Sequence, residues 1–297
     1  MSPGTAHAAH GHGHHPGWPP DIQAVLARAR RHETPCGPGH MVWHVWGQGE
    51  PVVLLHGGSG SWLHWLRNID ALVAAGRTVW VPDMPGFGDS ARPVADPHAG
   101  HDADAIVAPL AAGWAALLGA GPVDVVAFSF GTLVSVLLTA QHPNHVARLL
   151  LLGAPVLPLV DRKGVALRAW GAHADQAERL AVHRHNLGAL MLYRPEAVDD
   201  TAVAIQAANI PRDRMRRRRL VTTPAFGAAL QLVHCRVDVL YGAEDVLYRA
   251  HWPAVTAAWR AHPTLADVQV LPGVGHWLQY EAPETVNAWL VQRLAER

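Results

Sequence analysis

The chain has 297 residues, 49% of them hydrophobic and 16% charged, and a formal net charge of +0. That length allows one large domain with an insertion, or two domains, around a sizeable core, and the neutral balance argues against a nucleic-acid partner or a strongly steered anionic one. No stretch of 18 apolar residues reads as a membrane span and no apolar leader opens the chain, while Cys36 and Cys235 stand far apart in no metal-like spacing, so a cytoplasmic protein with incidental thiols is expected.

Residues 1–20 are rich in Gly, Pro, Ala and His, with His7, His10, His12, His14 and His15 crowded together. Such a composition cannot bury a core and is expected to be a solvated, disordered tail, although a His tract can hold a transition metal weakly. Asp21 is placed to N-cap a short helix with Ile22, Val25, Leu26 and Ala29 on one face. Thr34 to Gly39 reads as a break. Met41 to Trp46 and Pro51 to Leu55 read as strands, the second running into His56-Gly57-Gly58-Ser59-Gly60. That loop lacks the lysine of a phosphate-binding P-loop and the spacing of a dinucleotide site, which leaves a backbone oxyanion hole with a donor near Gly58. A helix is expected over Trp62 to Ala74. A buried strand over Thr78 to Val81 then leads to the turn-rich Asp83-Met84-Pro85-Gly86-Phe87-Gly88-Asp89-Ser90. Asp102 to Leu118 carries apolar residues at helical spacing, with Pro109 a potential kink.

The next stretch organises the chain. The β-branched run from Val123 climbs to Ala127-Phe128-Ser129-Phe130-Gly131, and helix formers follow from Thr132 to His142. A small residue two before a serine and a glycine two after it give the sharp strand–turn–helix of a nucleophile elbow, with Ala127 replacing the usual first glycine. Taken alone, the same residues could close an ordinary buried strand. Val146 to Leu152 is a further strand, and strands alternating with helices imply a mostly parallel sheet. From about 156 to 220 helix formers dominate, which reads as a helical insertion. Its run of Arg212, Arg214, Arg216, Arg217, Arg218 and Arg219 reads first as a solvated helix face, with an anion-binding patch as the alternative. Strands at Val237 to Tyr241 and Ala266 to Leu271 end in Gly242-Ala243-Glu244-Asp245 and Pro272-Gly273-Val274-Gly275-His276-Trp277. A helix over Pro283 to Leu294 closes the chain.

Three groups thus stand at strand ends in the order Ser129, Asp245, His276. Serine needs a base to take its proton, and histidine needs a carboxylate to fix its tautomer, so the set can act as a catalytic triad. Glu244 competes with Asp245 for the acid's place. Taken together, His56-Gly57-Gly58, the loop from Asp83 to Ser90, the Ser129 elbow and Gly273-Val274-Gly275-His276 resemble the α/β-hydrolase superfamily over nearly all of residues 36–297. That resemblance implies an α/β fold with a mostly parallel eight-stranded sheet flanked by helices. It divides the chain into a core of 21–155 and 221–297 and a helical cap of 156–220, inserted after the sixth strand. It also implies an oxyanion hole from the amides of Gly58 and Phe130, and no metal or organic cofactor.

Trp62 through Arg67-Asn68, Leu190-Met191-Leu192-Tyr193 and Gly275-His276-Trp277 with Gln279 resemble the branch that cleaves C–C bonds in meta-cleavage products. Phe128, His64 and Gln206 stand where that branch carries asparagine, asparagine and a carboxylate-gripping arginine. Gly57, His64, Phe128, Gln206 and Trp277 are therefore the candidate pocket residues. The loss of polar groups favours a small, mostly apolar ester, lactone or thioester as the small-molecule substrate. C–C hydrolysis and a non-catalytic binding protein remain as alternatives, and a homodimer stays open.

Overall fold

The structure, a computed structural model, describes residues 17–93, 103–119, 121–156, 159–160, 165–172, 175–215 and 223–296. Most of the His-rich tail and Arg216–Arg219 therefore lie outside the described residues. In chain order the elements are α1 (Pro20–Leu26), β1 (Arg30–Cys36), β2 (Gly39–Trp46), β3 (Glu50–Leu55), a 3-10 turn (Trp62–Trp65), α2 (Ile69–Ala74), β4 (Arg77–Pro82), α3 (Ala103–Leu118), β5 (Val123–Phe128), α4 (Phe130–Gln141) and β6 (Val146–Leu152). Next come α5 (Gln176–Asn186), a π-turn (Leu187–Met191), α6 (Asp200–Asn209), α7 (Ala225–Leu230), β7 (Arg236–Gly242), α8 (Trp252–Arg260), β8 (Leu265–Leu271), α9 (Leu278–Glu281) and α10 (Pro283–Ala295).

The eight strands form one sheet in the order β1-β2-β4-β3-β5-β6-β7-β8. β3 through β8 run parallel, and β2 is antiparallel to both β1 and β4. The central parallel strands β3, β5, β6 and β7 are mostly buried, which is why they read as largely apolar runs, whereas β8 at the edge is only half-buried. Alternation along β3 divides the core: Val53 and Leu55 join the layer with α3, α4 and α8, whereas Val52 and Leu54 join the layer with α1, α2 and α10. β3 lies between β4 and β5, so the strand order reverses there. In open α/β sheets such a switch point opens a crevice beyond the carboxyl ends of the strands. No helix among the described residues is long and apolar enough to cross a membrane.

Local expectations differ from the structure at several places. The break expected over Thr34 to Gly39 is confined to the turn at Gly37 and Pro38, and Thr34 to Cys36 belong to a strand. Arg30–Cys36 is an edge strand in which only Thr34 and Cys36 are buried, so its sequence, Arg-Arg-His-Glu-Thr-Pro-Cys, carries no apolar run. Pro19, not Asp21, is the N-cap of α1, and the Asp21 carboxylate accepts from the Ile22 amide. Trp62 to Ala74 is not one helix. Ser61 caps a single 3-10 turn, and α2 starts only at Ile69. Arg212 and Arg214, the two described arginines of the run at the end of the insertion, do not lie on a solvated helix face. Arg212 closes a 3-10 turn and pairs with Asp89 at 2.8 Å, while Arg214 donates to the Gly88 carbonyl at 3.0 Å and to that of Ser90. Both clamp this segment onto the Asp83–Ser90 loop.

Candidate active site

Steric demands fix the elbow. β5 delivers Ser129 to φ 50°, ψ −113°, a conformation that costs a non-glycine residue about 1–3 kcal/mol. The strain is held by the Ser129 amide donating to the Leu152 carbonyl at 2.8 Å and by Thr132, whose hydroxyl donates to the Ser129 carbonyl at 2.5 Å. Gly131 must be glycine because a Cβ there would lie 2.5 Å from the carbonyl oxygens of Leu55 and His56. Helix α4 can then start at once, with the half-exposed Ser129 as its N-cap.

Asp245 and His276 arrive from the ends of β7 and β8. Asp245 is fully buried and His276 is 4% exposed. The Asp245 Oδ1 accepts from the Leu247 amide at 3.0 Å, which fixes the carboxylate plane. Its Oδ2 lies 2.6 Å from His276 Nδ1, and His276 Nε2 lies 2.9 Å from Ser129 Oγ. With the proton on Nδ1, Nε2 is left to accept from serine, which is the arrangement a general base requires. The adjacent Glu244 donates its amide to the Val274 carbonyl, and Asp245 is the carboxylate that meets His276.

The other predicted residues take varied places. Gly57, buried, donates its amide to His64 Nδ1 at 3.2 Å, which puts the proton of His64 on Nε2. Burial, reinforced by His56 and His276, holds His64 well below the ordinary histidine value, so its ring is neutral. Gly58, half-buried, follows in the same loop, and Phe130 opens α4. Phe128 has no exposed surface and lies under two rings, 5.6 Å from His64 and 5.1 Å from His276. Trp277 stacks on Tyr280 at 4.2 Å and donates its indole N–H to the His64 carbonyl at 3.1 Å. Gln206 is half-buried within α6, away from the hydrogen bonds that join Ser129, Asp245 and His276.

Several further polar groups around the site have roles that only the packed structure shows, because most of their partners lie in other loops. Asp83 accepts from the Trp62 amide at 2.8 Å and the Asp89 amide at 2.9 Å, and burial, with Asp89 next, pushes its carboxyl up. His56 Nε2 accepts from the Met84 amide at 2.9 Å, locking the Gly57–Gly60 loop to the Asp83 loop. Arg67 pairs with Asp199 at 2.6 Å and lies 3.8 Å over the Tyr280 ring. Glu281 is buried and ties the His276 loop to Tyr193 and Arg194. Among the described residues no group of three or more His, Cys, Asp or Glu could hold a metal ion.

Comparison with known proteins follows the same lines. A family model described as the alpha/beta hydrolase fold matches residues 50–283. A 2-hydroxy-6-oxo-6-phenylhexa-2,4-dienoate hydrolase of Burkholderia cepacia is 26% identical, covering 84% of this chain and 89% of its own. A 2-hydroxymuconate semialdehyde hydrolase of Pseudomonas sp. (strain CF600) is 28% identical over 80% of this chain and 84% of its own. Among solved structures, an esterase from Rhodococcus sp. ECU1013 superposes with a TM-score of 0.69 at 22% identity, covering 90% of this chain and 98% of that one, a likeness of fold alone.

Proposed function

The chain belongs to the alpha/beta hydrolase fold family and is a hydrolase, and from that premise we propose that it is a serine hydrolase of small, mostly apolar carboxylic esters. The observation that carries the reading is the unbroken hydrogen-bond chain from buried Asp245 through His276 to a strained, half-exposed Ser129. His276 Nε2 takes the proton of Ser129 as Oγ attacks the ester carbonyl. The oxyanion forms against the amides of Gly58 and Phe130, since Gly57's amide is already donated to His64. Collapse breaks the C–O bond, and the imidazolium gives its proton to the leaving alcohol. A water then repeats the cycle on the acyl-serine, releasing the carboxylic acid and restoring serine. Each oxyanion donor contributes about 10²–10³ in rate.

The preference for a neutral acyl group rests on the company the triad keeps. Phe128 packs against the His276 ring, and a neutral His64 packs against both Phe128 and Trp277 beside it. The nearby described arginines are committed elsewhere: Arg67 to Asp199, Arg212 to Asp89, Arg214 to backbone carbonyls. A carboxylate buried without a charged partner costs several kcal/mol. A second reading, C–C bond cleavage of a dienoate, is favoured by the names of the two relatives. One assay separates them: short p-nitrophenyl esters and a meta-cleavage dienoate on a single preparation, with Ser129→Ala as the blank. The expected result is ester turnover that falls by about 10⁴–10⁶ in Ser129→Ala, with little dienoate turnover. A higher kcat/KM for the dienoate overturns the ester reading.

A further inference from the structure

Glu281 ends α9, five residues after His276, and its side chain has no exposed surface. Its Oε2 accepts from the Gly275 amide at 2.8 Å, the residue immediately before His276. Its Oε1 accepts from the Arg194 amide at 2.6 Å, and the Tyr193 amide lies 3.1 Å and 3.2 Å from the two oxygens. The Arg194 guanidinium stands 3.5 Å from Oε1 and also donates to the Glu281 carbonyl. On the other side of His276, the Trp277 amide donates to the Met191 carbonyl at 2.7 Å.

The tripeptide Gly275-His276-Trp277 is therefore gripped at both ends. One end is held by Glu281 and the other by Met191, and Glu281 binds the same 191–194 segment. Contact is close enough to dictate the residue before the histidine. A Cβ on Gly275 would lie 2.8 Å from the Tyr193 nitrogen, 3.0 Å from the Met191 oxygen and 3.1 Å from Glu281 Oε2. A carboxylate accepts at two oxygens, whereas an amide offers one acceptor and turns two donors on these same N–H groups.

We propose that Glu281 is a positioning residue for the reaction. It sets the height of His276 between Asp245 and Ser129 by holding the Gly275 amide, and it makes that height depend on the 191–194 segment being seated. The inference rests on the triad reading above.

The test is Glu281→Gln in the full chain, with active sites counted by fluorophosphonate labelling carried to completion and kinetics measured on a p-nitrophenyl ester. A histidine displaced from its line costs on the order of 10² in kcat. KM is expected to stay within about threefold, because binding in the ground state does not use the base. Unchanged kcat per labelled site, with only a lower labelled fraction or Tm, overturns the proposal, since it marks a purely structural role. If Glu281→Gln does not fold, Gly275→Ala presses on the same latch from the other side. The same drop in kcat at steady KM is expected there, and a full kcat per labelled site overturns the proposal equally. Ser129→Ala, run alongside, separates the two readings: if it is inactive while Glu281→Gln is unimpaired, only the latch fails, and if it is active, the triad reading itself fails.

Discussion

Asp245→Asn is the substitution whose outcome the geometry constrains most tightly. The carboxylate has no exposed surface and uses both oxygens, Oδ1 for the Leu247 amide at 3.0 Å and Oδ2 for His276 Nδ1 at 2.6 Å. An asparagine can keep only one of these. If its oxygen stays on the Leu247 amide, its NH2 faces Nδ1, which must become the acceptor. The imidazole proton then moves to Nε2, and the ring can no longer take the proton of Ser129 at 2.9 Å. The opposite orientation sets NH2 against the Leu247 N–H, two donors in a dry site, and is disfavoured. The wrong tautomer is expected to lower kcat by about 10⁴, equivalent to about 5 kcal/mol of transition-state stabilisation, with the fold intact. Glu244→Gln, on a half-buried neighbour that does not meet the histidine, should stay near wild type. The assay is p-nitrophenyl ester hydrolysis with circular dichroism on both variants. Retention of more than about a tenth of kcat in Asp245→Asn, or a larger loss in Glu244→Gln, would refute the tautomer argument.

Two further outcomes follow from packing and titration. Gly131→Ala places a methyl 2.5 Å from two backbone carbonyls that cannot rotate away, so it should cost about 1–3 kcal/mol by urea unfolding and lower activity as well; a variant as stable and active as wild type would show that the elbow has room. His64 has a folded-state pKa well below 6.5, so in mildly acidic solution the unfolded chain binds a proton that the folded chain refuses. Stability should therefore fall as pH drops below 6.5, by about 1.4 kcal/mol per unit until the folded state itself protonates. His64→Asn should flatten that slope in urea titrations between neutral and acid pH, and parallel slopes for the two proteins would contradict the assignment.

What the sequence determined by itself was the buried strands and the sharp turns at their ends, which are written in short stretches. Buried parallel strands are apolar on both faces, so β3 to β7 announced themselves, and the turns at their carboxyl ends carried Ser129, Asp245 and His276 in view. The elbow was legible for the same reason, since a tight turn restricts the residues two before and two after its serine. Edge strand β1 was not legible, because only Thr34 and Cys36 of its residues are buried and no apolar run marks it. Nor could the sequence decide which polar residues around Ser129, Asp245 and His276 are structural. Arg212 and Arg214 read as a solvated charge run, yet their partners lie more than a hundred residues earlier, in the Asp89 region. Nothing in the sequence singles out Glu281, and its meaning comes from Tyr193 and Arg194, far upstream. The reason is physical. Backbone sterics and burial act over neighbouring residues and leave a local pattern, whereas a hydrogen bond between remote loops exists only once packing has brought both ends together and removed the water that would otherwise satisfy them.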